Sequence, residues 1–206
     1  MSQPVVIQCA GKTDVGLQRE TNQDQFLIAD LHKNMHVLSS SIELDDQQVF
    51  GESMGKVLFI ADGMGGMNAG DVASKLAIDA TTRFLLNSMH WLFDPRQPEV
   101  ERFVEDLKEA AVFTHGIVRQ DAETVPHHTG MGTTLTLACI IWPMLYVLHV
   151  GDSRCYVMHK NDLVLLTRDQ TFAQYLLDSG ALSSEQFKNS PLKHVLISAI
   201  GGSDQP

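Results

Sequence analysis

Basic side chains are scarce in this chain: its 206 residues hold 15 lysines and arginines against 25 aspartates and glutamates, a formal charge of -10. Affinity for a phosphate backbone comes from neutralisation by Lys and Arg, so this balance argues against a nucleic-acid partner. Cysteine is nearly absent. Cys9, Cys139 and Cys155 are odd in number, lie in apolar strand-like runs and lack the Cys-x-x-Cys spacing of a zinc site or redox pair. They read as buried thiols in a reducing cytoplasm. No apolar run approaches the ~18 residues that could span a bilayer, and Met1-Ser2-Gln3-Pro4 lacks the basic region and apolar stretch of a leader. A soluble, cytoplasmic protein with no membrane association is expected. The 9 histidines show no helical ligand spacing, which argues against zinc. His127-His128 reads as a surface loop pair, and His149 as a strand residue facing core or sheet neighbours.

What is present is an ordinary globular composition, 44% apolar and 19% charged, enough for one domain with a buried core. Val5 to Cys9 and Phe26 to Ala29 read as short strands, with a turn at Thr13-Asp14-Val15-Gly16. Residues 31 to 56 are more polar and contain Ser39-Ser40-Ser41 and Asp45-Asp46-Gln47-Gln48, so they read as an extended hairpin or a mobile loop. Val57 to Ala61 is a continuous buried strand. Ala69 to Met89 and Val100 to Ala122 repeat apolar residues at helical spacing, separated by the proline-containing Trp91 to Pro98. Strands follow at Thr133 to Trp142, Leu145 to Val150, Cys155 to His159 and Leu163 to Leu166, an antiparallel meander. Short helices close the pattern at Phe172 to Ser179 and Ser184 to Lys188, with Ser183 and Ser184 as candidate caps and Glu185 and Gln186 behind them. Strands, then helices, then strands again predict an α+β fold.

Asp24, Asp62 and Asp152 all fall where a strand pattern gives way to a turn. Taken singly, each reads as a turn former or strand cap. Taken together they read as a carboxylate metal centre, because strands hold their ends rigidly and neighbouring carboxylates need a divalent cation to relieve their repulsion. Oxygen-only ligands suit hard cations such as Mg²⁺ or Mn²⁺.

The surrounding motifs resemble the metal-dependent serine/threonine protein phosphatases of the type 2C, or PPM, class. Thr13-Asp14-Val15-Gly16-Leu17-Gln18-Arg19-Glu20-Thr21-Asn22-Gln23-Asp24 is similar to the family's opening motif, and Ala61-Asp62-Gly63-Met64-Gly65-Gly66 to its second. Thr129-Gly130-Met131-Gly132-Thr133-Thr134, His149-Val150-Gly151-Asp152-Ser153-Arg154, Leu165-Leu166-Thr167-Arg168-Asp169 and Ala199-Ile200-Gly201-Gly202 follow in the family's order. The resemblance covers nearly the whole chain, residues 1–206, and implies a four-layer sandwich of two antiparallel β-sheets flanked by helix pairs. It implies hydrolysis of phosphoserine and phosphothreonine on proteins by a metal-activated water, with two or three Mn²⁺ or Mg²⁺ ions. Asp62 would bridge two cations, Asp24 and the Gly63 carbonyl would bind one of them, and Asp152 would serve a third, weaker position. Arg19 would grip two phosphate oxygens with its planar fork. Arg154 is expected to brace a hairpin, and Asp14 and Asp169 to be structural or to support the metal ligands without binding metal themselves. Substrates would be phosphoproteins, opposed by a Ser/Thr kinase, and the enzyme a monomer.

Departures from the family pattern qualify this picture. Family members continue past the position of Gly202 through Asp-Gly and Asp-Asn motifs that complete the first metal site, whereas this sequence stops at Pro206. The chain therefore reads as a C-terminally incomplete domain, lacking strands and weak or inactive as it stands, with a non-catalytic phosphatase-like binding module as the alternative. Met64 replaces the histidine that animal members use as general acid, and a thioether cannot donate a proton. Gln170 to Lys193 corresponds to the family's flap and is expected to select substrates. Residues 31–56 form an insertion, either a solvated hairpin or a docking surface.

Overall fold

The computed structural model describes residues 7–17, 19–34, 50–66, 69–88, 100–202 and 206. Strands β1 (Asp24–Asn34) and β2 (Phe50–Met64) carry the apolar runs Phe26 to Ala29 and Val57 to Ala61, and they pair antiparallel from Asp24↔Asp62 to Asn34↔Phe50. On its other edge β2 pairs first with β4 (Leu135–Ile141) and then with β3 (Gly132–Thr133). Strand β5 (Met144–Val150) completes the order β1-β2-β4-β5. A second antiparallel sheet is formed by β6 (Tyr156–His159) and β7 (Asp162–Leu165). The fold is α+β, with two antiparallel sheets and helices.

Helices α1 (Ala69–Ser88) and α2 (Val100–Thr124) cover one face of the larger sheet. The inner face of α1 is small: Ala69, Ala73, Ala77 and Ala80 are buried, which lets the helix lie close to the strands. Phe59, Leu135, Leu137 and Val57 meet it from the sheet, and Phe103 of α2 sits edge-on to Tyr146 at 4.3 Å. Where the helices touch, Thr81 donates to the Ala77 carbonyl at 2.7 Å, so Thr114 must supply the proton of the 2.8 Å bond between the two hydroxyls. The opposite face has no such cover among the described residues. Phe26 and Ile60 are 41% and 48% exposed there, while Phe59, one residue along, is 1% exposed.

Several expectations change. Of the two readings of residues 31–56, the described part follows the extended hairpin: 31–34 and 50–56 carry the antiparallel β1–β2 ladder outward, and residues 35–49 lie outside the described set. Ile7 to Cys9 is not strand, and Cys9 is exposed rather than buried. The expected meander breaks after β5, where Gly151 adopts φ +109° and both its N–H and its carbonyl are taken by Gln170. Such a φ suits glycine alone, and it turns the chain out of the sheet so that, among the described residues, β6 and β7 pair only with each other. The Trp91 to Pro98 linker lies outside the described residues.

The short helices α3 (Phe172–Asp178) and α4 (Ser184–Asn189) are capped by Thr171 and Ser183. At Ser183 the bonding is reciprocal: its hydroxyl accepts from Gln186 N–H, and the Gln186 side chain accepts from Ser183 N–H at 2.8 Å. No helix among the described residues is long and apolar enough to cross a membrane.

Candidate active site

Strand register places Asp24, the first residue of β1, directly across from Asp62 near the end of β2. Facing residues in such a pair have Cβ atoms only about 4.5–5.5 Å apart, so two rigid strands press two carboxylates together. The Asp62 backbone is fixed by three bonds of 2.9 Å: its N–H donates to Thr134 Oγ1, and its carbonyl accepts from Thr134 N–H and Thr133 Oγ1. Asp24 N–H donates to Asn22 Oδ1 at 3.0 Å, and the Asn22 amide donates to Thr13 Oγ1 at 2.7 Å. The approach to β1 is thereby tied to the preceding loop.

Surrounding protein desolvates the Asp62 carboxyl and pushes its pKa up to about 6. The Asp24 charge, a hydrogen bond with Asp24 and the Asp152 charge act in the same direction, and the Arg19 guanidinium opposes them. Asp24, Asp62 and Arg19 line one recess of about 310 Å³, with Asp14, Leu17 and Gln23 in its walls. Arg19 Nη1 donates to Gln23 Oε1 at 2.9 Å.

Asp152 follows the Gly151 turn at the end of β5 and stands to one side, acting on Asp62 by its charge. Ser153 ties that turn to the Asp62 support through a 2.8 Å bond to Thr134 Oγ1. Among the described residues no three His, Cys, Asp or Glu side chains come close enough to hold one ion together. The structure thus brings Asp24, Asp62 and Arg19 to one recess, with Asp152 near enough to act on Asp62 by its charge. Gly63 sits where β2 meets the start of α1: a Cβ on it would fall 2.0 Å from the Gly70 carbonyl oxygen, so only glycine allows this approach. Arg154 is engaged elsewhere, forking onto Asp169 at 2.8 and 2.6 Å, and Asp14 accepts from Gly16 N–H at 2.8 Å.

His149 lies between Thr136 and the Arg168 carbonyl, so its Nε2 donates to that carbonyl and its Nδ1 meets the Thr136 hydroxyl. His128 bonds Asp121 beside a short 3₁₀ turn. A separate cavity of about 170 Å³ between sheet and helices is apolar; its Cys139 thiol is pushed up to about 12 by burial and is no nucleophile. Sequence reasoning gave no role to Gln23, Thr134 or Gln170. Gln23 and Thr134 are buried polar residues inside motifs and Gln170 is a partly buried one directly after a motif aspartate, and a buried amide or hydroxyl at such a place was the available signal.

A family model described as Protein phosphatase 2C matches residues 34–195. The chain is 35% identical over 145 residues to the serine/threonine phosphatase stp of Listeria welshimeri, covering 70% of this chain and 55% of that protein. It is 28% identical over 198 residues to the serine/threonine protein phosphatase PstP of Mycobacterium tuberculosis, covering 96% of this chain and 32% of PstP. The chain thus spans about a third to about half the length of these curated relatives. The crystal structure of the Mycobacterium tuberculosis phosphatase superposes with a TM-score of 0.67 over 94% of this chain and 67% of its own, at 28% identity. A structure of the PstP catalytic domain in complex with 2 manganese ions matches at a TM-score of 0.56 and 26% identity, over 88% of this chain and 68% of its own.

Proposed function

Because this chain belongs to the protein phosphatase 2C family, we propose that it hydrolyses phosphoserine and phosphothreonine esters on proteins by direct attack of water on phosphorus. The observation that carries this reading is the facing Asp24–Asp62 pair, with Arg19 in the same recess. Two facing carboxylates, that of Asp62 partly desolvated, are a donor set suited to a hard divalent ion. Asp24, Asp62 and the Gly63 carbonyl would hold Mn²⁺ or Mg²⁺, with Asp152 at a further, weaker position, for two or three ions in all. Such ions supply Lewis acidity toward the phosphoryl group and a water of lowered pKa.

The chain's own residues account for the remaining steps. Arg19 presents paired N–H groups to two phosphate oxygens and orients the ester over the carboxylates. Asp62, fixed by Thr133 and Thr134, keeps its carboxylate in place as the substrate enters. The Met64 thioether has no proton to give, so the leaving alkoxide takes its proton from solvent in the recess. Gln170 to Lys193 borders the Asp152 turn through the Gln170–Gly151 bonds, and this segment selects among substrate proteins. The protein acts in the cytoplasm as a monomer and opposes a Ser/Thr kinase.

Hydrolysis of a phosphothreonine peptide with Mn²⁺, before and after EDTA, tests the reading. Turnover abolished by chelator and restored by Mn²⁺ is expected. Peptide binding without turnover would favour a binding module, and chelator-insensitive turnover would overturn the metal-dependent mechanism.

A further inference from the structure

Arg19 belongs to a segment without regular secondary structure, yet phosphate recognition asks a long, flexible side chain to hold one direction. Gln23 supplies that constraint. It is only 8% exposed, and its main-chain carbonyl is bound by the Ser74 hydroxyl at 2.7 Å and by Gly63 N–H at 3.2 Å. Its amide is pressed against the start of α1, where a Cβ on Gly70 would meet Gln23 Cδ and Oε1 at 2.8 Å. With the amide walled in there, Oε1 is held for Arg19 Nη1 at 2.9 Å.

On the phosphatase reading above, we propose that Gln23 is a positioning residue, its side-chain carbonyl setting the Arg19 guanidinium toward a phosphoryl group over Asp24 and Asp62. The bond to Gln23 uses one N–H of the fork and leaves the Nε and Nη2 edge to face two phosphate oxygens. Because the amide is neutral, it orients Arg19 without cancelling its charge, and it adds no carboxylate to the pair beside it. Gly70 completes the device: its missing side chain is the space the amide occupies.

The test is titration of inorganic phosphate into the Mn²⁺-loaded chain by calorimetry, alongside phosphopeptide kinetics and thermal unfolding of each variant. Gln23→Met removes the acceptor at similar length, and ordering one long side chain is worth up to about tenfold in affinity, so phosphate should bind roughly fivefold to tenfold more weakly. KM should rise by the same factor while kcat stays within about twofold. Gln23→Glu keeps an oxygen for Arg19 but adds a negative charge that offsets the guanidinium and repels phosphate, so it should also bind phosphate more weakly than wild type. Gln23→Asn, which withdraws the amide by one methylene with less change of packing, should match Gln23→Met. In an Arg19→Ala background Gln23→Met should cost nothing further. An Arg19→Ala loss with no Gln23→Met or Gln23→Asn loss overturns the inference and leaves the phosphatase reading intact. A Gln23→Met loss that persists without Arg19 also overturns it. No phosphate binding by the wild type, or no effect of Arg19→Ala, removes the Arg19 assignment and this inference with it.

Discussion

Asp169 lies in irregular chain beyond β7 and Asp62 near the end of β2, and their surroundings could hardly differ more. Asp169 receives the Arg154 fork at 2.8 and 2.6 Å. Asp178 is held by Arg168 and Gln174, and Asp30 by Lys56, and the hydrogen bonds from these partners lower the pKa of both carboxyls. Asp62 faces another carboxylate, and burial and that neighbour drive its pKa the other way. The compensated acids join one segment to the next. The uncompensated pair sits on rigid paired strands at a cost to stability, which is what a site kept ready for an external cation requires.

Substitutions can break this contrast. Asp62→Asn should lower kcat/KM on a phosphothreonine peptide by at least about a hundredfold, a floor set by what loss of even a supporting group costs at a metal site. Without metal the same variant should unfold at a temperature equal to or above wild type, since it relieves the repulsion; a lower melting temperature in EDTA would count against an uncompensated pair. Arg19→Ala should raise KM about tenfold or more, the worth of a charge-assisted hydrogen bond, with the circular dichroism spectrum unchanged. Asp169→Asn should cost about 0.5 kcal/mol in urea unfolding and change kcat/KM by no more than about threefold, because the Arg154 partner is half exposed and screened. A hundredfold loss there would erase the distinction between the two kinds of acid.

The smallest effect concerns His149, whose pKa is lowered by burial against the pull of the Arg168 and Gly151 backbone and the Asp169 and Asp152 charges. A histidine with a depressed folded pKa binds fewer protons folded than unfolded. Its contribution to stability is therefore present above the ordinary value of 6.5 and is lost as pH falls from there through the folded pKa. Urea midpoints measured between about pH 8 and pH 5 should fall on the acid side, less steeply in His149→Gln.

Helix periodicity exposed α1 and α2 because their apolar stripes are long, and the Ser183 cap showed because its partner Gln186 lies three residues on. The outer part of the β1–β2 ladder showed only as one of two readings, an extended hairpin or a loop, because a polar stretch does not reveal the partner strand that residues 50–56 pair with. Alternation also could not tell the covered sheet face from the open one: Phe59 and Ile60 are equally apolar neighbours, and only the position of the helices separates them. At the site, the motifs pointed to the aspartates and Arg19. They could not supply the register that sets Asp24 against Asp62, or the bond from Gln23 to Arg19, because both depend on residues brought together by folding.

Manganese uptake measures the central claim most directly. Electron paramagnetic resonance of free Mn²⁺ should show the wild-type chain removing the ion from solution, and Asp24→Asn and Asp62→Asn each failing to do so at the same concentration. Equal uptake by wild type and both variants, or none by wild type, would contradict a cation site built on this facing pair.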